Sequence, residues 1–196
     1  MGDPAAGASA LQWSITAMSE MTQRLPQMRE WDPARALAVI GEAVWWITIV
    51  DATLLRHHAE AYDGVAHGQA PAERQRTEEI LAGLRFIRNR IGRKVSLDKF
   101  VGPGAPDPGI GAHITGWTWR PVPEPALTRL APRAQGWEIT RYRAYQAQLA
   151  GHTVGETFGW SAAFLTLTAA NATDIEDAAG LAAGGPVPSR RPARLS

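Results

Sequence analysis

Residues 32–62 constrain the fold more than any other part of the chain. Asp32 followed by Pro33 is a helix start. The Asp side chain can accept from an orphan backbone N–H, and a proline in the first turn gives up an N–H that has no helical partner. From there Leu37, Ile40, Val44, Ile47, Leu54 and Leu55 recur at helical spacing. Trp45, Trp46, Ile49 and Val50 widen the apolar arc beyond what one neighbour would cover. Such width predicts a central helix from 33 to about 62, roughly 45 Å long, packed among several others. Asp51 falls on the same inward seam. A carboxylate there is unfavourable unless donors meet it, so the pattern predicts a cation on another helix, or a helix rotated enough to bring Asp51 to solvent.

Helical periodicity appears in four further places. Leu11, Ile15, Met18, Met21 and Leu25 mark a helix over 9–25 that ends at Pro26. Ile80, Leu84, Ile87 and Ile91 mark one beginning near Ala72, with Glu73, Glu78 and Glu79 early and cations late, as the helix dipole prefers. Trp137, Tyr142, Tyr145 and Leu149 belong to a fourth, ended by Gly151. Thr153-Val154-Gly155-Glu156 has capping-box spacing and opens a fifth over 154–172, apolar nearly all round and so expected to lie in the bundle or in a subunit interface. Between the third and fourth lies a Pro/Gly-rich excursion, 96–132, that includes GPGAPDPGIG and one alternating segment, 114–119, suited to a short strand. Its Trp117 and Trp119 predict a lid lying on something apolar. The expected architecture is all-α: a bundle of about five helices forming one domain over 1–176, with an irregular lid at about 96–132 and a flexible basic tail over 177–196.

Composition narrows the chemistry. The chain contains no cysteine, which excludes disulfides, thiolate metal sites and a thiol nucleophile, and leaves packing to hold the fold. A net charge of +1 supplies no global attraction to nucleic acid, so any such binding needs a local patch. The start, MGDPAAGASALQW, has neither the cationic beginning nor the apolar run of a secretory signal. Glu42 and Asp51 interrupt the most apolar segment well short of the roughly 20 residues of a membrane span. These features lead us to expect a cytoplasmic protein without a membrane partner. No metal or cofactor is expected. His57 and His58 are adjacent and point to different helix faces, and the Gly-rich run lacks the Lys-Ser or Lys-Thr of a phosphate loop. The aromatic content includes eight tryptophans; those at 45, 46, 117, 119, 137 and 160 are expected in core and lid packing rather than in base stacking.

One cluster carries chemical interest. Arg85, Arg88, Arg90, Arg93, Lys94 and Lys99 face a single acid, Asp98. On the third helix Arg85, Arg88, Asn89 and Gly92 form a stripe beside the apolar one, and guanidinium groups there suit bidentate contact with phosphate or carboxylate. The bland alternative is a solvated helix end with one arginine paired to Asp51 or Glu42.

A long helix holding an acid, followed by a helix with Arg88-Asn89 near its end, resembles the HEPN superfamily of all-helical bacterial RNA-cleaving and RNA-binding proteins. The resemblance covers about 37–95. The family signature continues, four to six residues on, to a histidine; this chain has Arg93, Lys94 and Val95 there instead. Guanidinium stays protonated and cannot exchange a proton near neutral pH as imidazole does. The resemblance therefore implies a non-catalytic binding or regulatory protein of bacterial defence or toxin–antitoxin type. It implies anion or RNA contacts at Arg85, Arg88, Asn89 and Arg93, Asp51 or Glu42 as the acidic partner, and a homodimer with RNA or another protein as further partner. Two alternatives accompany it: a metal-independent ribonuclease with an atypical site, and a purely structural oligomerisation module.

Overall fold

In the computed structural model the described residues are 4–25, 32–91, 95–104, 116–124 and 131–182, with side chains described from 11 to 175 within them. They form six α-helices, one 3-10 turn and a two-stranded sheet, so the all-α bundle is the architecture observed. The helices are α1 (Pro4–Arg24), α2 (Pro33–His57), α3 (Ala59–Gly68), α4 (Pro71–Ile91), α5 (Pro132–Gln148) and α6 (Val154–Ala182). The start of α2 is capped as its sequence dictates: Asp32 Oδ1 accepts from the backbone N–H of Arg35 at 3.0 Å.

At the centre lies α2, packed against α1, α3, α4, α6 and the 3-10 turn Leu97–Lys99. It buries Ile40, Val44, Ile47, Val50 and Leu54 with Asp51 among them. Each fully buried aliphatic side chain contributes on the order of 1.5–3 kcal/mol, so this one face supplies a large share of the core. By length and composition α2 is also the one described helix apolar enough to cross a membrane, and half of its apolar window is buried inside the bundle.

The second helix is shorter than its periodicity predicts. The chain breaks at His58 (φ −134°, ψ 42°), and a separate helix, α3, runs on to Gly68, past the end at about 62 that the periodicity predicts. One interaction reaches across the break. Tyr62 donates its hydroxyl to Asp51 Oδ1 at 3.1 Å, although the two are 11 residues apart. In one unbroken helix they would stand about 16 Å apart along the axis. No Gly or Pro marks position 58, so local sequence is silent about the break. Two other boundaries move as well: α1 begins at Pro4, and α6 continues to Ala182, placing the first residues of the expected tail in helical backbone. Nor is α6 buried all round, since Leu167 is exposed.

The excursion between α4 and α5 closes onto the bundle where it is described. Strands β1 (Val101–Pro103) and β2 (Trp117–Trp119) pair antiparallel, with Val101 opposite Trp119. Only β2 falls in the segment the sequence marks as a strand; most of GPGAPDPGIG lies outside the described residues. Trp119 is buried edge-on to Phe158 of α6, its centroid 5.7 Å away, and its indole N–H donates to Thr157 Oγ1 at 2.7 Å. The backbone of Trp119 also bonds to Gly151 and His152 at the α5–α6 turn, where Gly151 takes a positive φ of 86° past the end of α5. Close approach elsewhere depends on Gly83. A Cβ there would sit 2.7 Å from Leu149 Cδ1 and 3.1 Å from the Tyr145 Cα, so α4 and α5 pack at a distance only glycine permits.

Candidate functional site

Arg85 and Asp51 meet in the core as the buried-acid argument requires. The fully buried Asp51 (0% exposed) receives Arg85 Nε–H on Oδ2 at 2.6 Å and Nη2–H on Oδ1 at 2.7 Å. Tyr62 adds a third donor to Oδ1, so helices α2, α3 and α4 join at one carboxylate. Such charge-assisted, bidentate geometry is what makes a buried carboxylate tolerable. Burial pulls the Arg85 pKa down, and the hydrogen bonds and charge of Asp51 more than offset it, raising it further. Burial, reinforced by the charge of Asp51, pushes the Tyr62 hydroxyl well above its ordinary range.

The remaining candidates separate from that cluster. Arg88 lies over the ring of Trp45, its guanidinium carbon 4.6 Å from the centroid. Trp45 is 50% exposed, and Trp137 is exposed too, so neither serves the core as the sequence suggests. Asn89 is exposed on the last turn of α4. Glu42 is exposed on α2 and does not meet Arg85. Arg90 donates through Nε to Glu138 of α5 at 3.0 Å, a buried acid that sequence periodicity does not flag. Arg93 and Lys94 lie outside the described residues. The cationic stripe thus splits into core pairing at Arg85, inter-helix pairing at Arg90 and an outward group at Arg88 and Asn89.

What this arrangement can do is hold, orient and bind; a proton relay is harder to assemble. The described histidines sit at the α2–α3 junction (His57, His58), on α3 (His67) and at the α5–α6 turn (His152), and none is on α4 beside Arg88-Asn89. His152 stands 3.8 Å from Glu156, the i,i+4 spacing of its sequence, while Glu156 also accepts from Arg76 at 2.8 Å. Among the described residues no three acidic or histidine side chains gather as a metal site would require. A cleft of about 190 Å³ between α1, His58 and α6 is lined by Leu11, Ile15, Ala169 and Thr173 with others, and by none of the anion-binding or acidic candidates on α2 and α4. Tyr62 is the neighbour of Asp51 that sequence reasoning misses, because only the break at His58 returns it to that carboxylate.

No protein-family model, curated protein or solved structure matches the chain.

Proposed function

We propose that the chain is a non-catalytic, HEPN-like helical binding and regulatory protein, of the kind used in bacterial defence and toxin–antitoxin assemblies. The observation that supports its non-catalytic part is the double hydrogen bond between Arg85 and Asp51, the pairing that the bland reading of the cationic cluster also expects. It ties the acid of the central helix and the nearest arginine into the core, where both serve packing and neither is presented to a substrate. What α4 leaves beside these, half-buried Arg88 and exposed Asn89, can bind but cannot exchange a proton at neutral pH. Incubating the purified protein with total RNA tests this. Intact RNA with both the native chain and Arg88→Ala is the expected result. Degradation that Arg88→Ala abolishes would replace the proposal with a metal-independent ribonuclease.

A second reading, anion or RNA binding, is favoured by the stacking of Arg88 on an exposed tryptophan. That pair offers a base-stacking surface and phosphate donors together. It predicts retention on single-stranded RNA that weakens steeply as salt rises, and more weakly held RNA with Arg88→Ala.

A further inference from the structure

The cleft between α1 and α6 has an apolar floor and a polar rim. Its floor is Leu11 and Ile15 of α1 with Ala169 and Ala172 of α6, of which Ile15 is half-buried and the others are buried. Alanines and threonines on this side of α6 have too little bulk to fill the space against α1, so the two helices leave a hollow of about 190 Å³. Around it stand Gln12 and Thr166, both exposed, whose side chains make no hydrogen bond among the described residues. Thr173 donates its hydroxyl to the Ala169 carbonyl at 3.1 Å. His58, the residue that ends α2 and begins α3, closes one side and already makes an interaction of its own. Among the described residues no Asp, Glu, Lys or Arg lines the cleft.

We infer that this cleft binds a compact, uncharged molecule of single-ring size carrying one hydroxyl or carbonyl group. Its apolar body lies on the floor and its polar group lies between Gln12 and Thr166. Size, charge and chemistry each narrow the class. A cavity of about 150 Å³ already admits benzene, while drug-sized ligands occupy roughly 300–1,000 Å³, so this volume fits one ring with a small substituent. A charged group would leave water for walls that hold no fixed counter-charge, which is costly, so anions and cations of the same size are disfavoured. The Gln12 amide both donates and accepts, as does the Thr166 hydroxyl, so a ligand hydroxyl or carbonyl finds a partner on either helix. The occupant touches α1, α6 and the break at His58 together. Because those walls come together only in the folded chain, binding stabilises the fold by mass action. The site shares no residue with Arg85, Arg88 or Asn89, so the outcome of the RNA experiments leaves it untouched.

Phenol is the probe, titrated into the full chain beside benzene, benzoate and benzylammonium, and followed by calorimetry and by NMR of the methyl groups. Phenol is expected to bind saturably, to raise the melting temperature and to shift the methyl signals of Leu11, Ile15, Ala169 and Ala172. Benzoate and benzylammonium should bind at least about tenfold more weakly. Thr166→Val keeps the shape of the side chain and removes its hydroxyl, so it should weaken phenol about fivefold and leave benzene unchanged. Ala170→Phe, at an exposed position on the lining, should fill the hollow and weaken both about tenfold or more, with circular dichroism as the control for folding. Should that variant fail to fold, the methyl shifts of the native chain decide the site by themselves. Absence of saturable phenol binding, or shifts confined to methyls away from the cleft, overturns the inference. So does a charged ring bound as tightly as phenol, or a Thr166→Val variant that loses phenol and benzene equally.

Discussion

Arg85 grips Asp51 from α4 with two hydrogen bonds of 2.6 and 2.7 Å, while its neighbour one turn on, Arg88, lies half-buried over Trp45. The two arginines share a helix and differ in function because of what each faces. Removing Arg85 leaves a carboxylate with 0% exposure and Tyr62 as its remaining side-chain donor. Arg85→Ala is therefore expected to cost about 3 kcal/mol, the low end for a broken buried pair because Arg85 itself is 28% exposed. Arg88→Ala should cost no more than about 1 kcal/mol. Urea denaturation midpoints of the two variants check this, and equal losses would contradict the division of labour.

Stability should fall in alkali through the buried tyrosines. Burial, with the charge of Asp51 behind it, raises Tyr62 above the ordinary value of 10.0, and burial alone raises Tyr145. Above pH 10 the unfolded chain releases these protons and the folded chain keeps them. The folded state then holds more protons, so stability is fully present below about pH 10 and decreases as pH rises beyond it. The slope is up to about 1.4 kcal/mol per pH unit for each tyrosine. Thermal melts from pH 8 to 11 should show the decline, and Tyr62→Phe should make it shallower.

Gly83→Ala sets two effects against each other. Alanine improves helix propensity by about 1 kcal/mol. Against that, its Cβ would meet Leu149 Cδ1 at 2.7 Å and the Tyr145 backbone at 3.1 Å, an overpacking that costs about 1–3 kcal/mol and cannot be relieved by a side-chain rotation alone. A net loss of stability is expected, read as a lower denaturation midpoint; a gain would mean that α4 and α5 separate easily.

The Trp119 indole ties the lid to α6, beside the backbone bonds that join it to the α5–α6 turn. Trp119→Phe and Thr157→Val each remove the 2.7 Å bond between β2 and α6 and should cost about 1–2 kcal/mol. The double variant should cost less than the sum, since both changes delete one interaction. Hydrogen exchange at the β1–β2 amides supplies the local readout and should quicken in all three variants.

Several of these relationships are visible in the chain before it folds, and others are not. The cap at Asp32, the core stripe of α2 and the place of Asp51 on its seam follow from spacing alone, and the cost of burying an unpaired acid makes a cation on another helix one of two outcomes. The identity of that cation does not. Arg85, Arg88 and Arg90 are alike in composition and lie within two turns of one helix. Nor does the sequence mark the break at His58, the pairing of β1 with β2 or the exposure of Trp45, since each depends on a partner distant in the chain.

The sequence by itself determined that this protein is helical, that α2 is its centre and that Asp51 falls on the inward seam, where it needs either donors or a helix rotated toward solvent. Those outcomes come from local periodicity, capping and desolvation, all properties of neighbouring residues. The tertiary structure alone decided that Arg85 is the partner, that α3 turns away to bring Tyr62 to the same carboxylate, and that Arg88 and Trp45 are left outward. Which of several like side chains meets a buried charge depends on how neighbouring helices dock, and docking is settled by packing across the whole bundle.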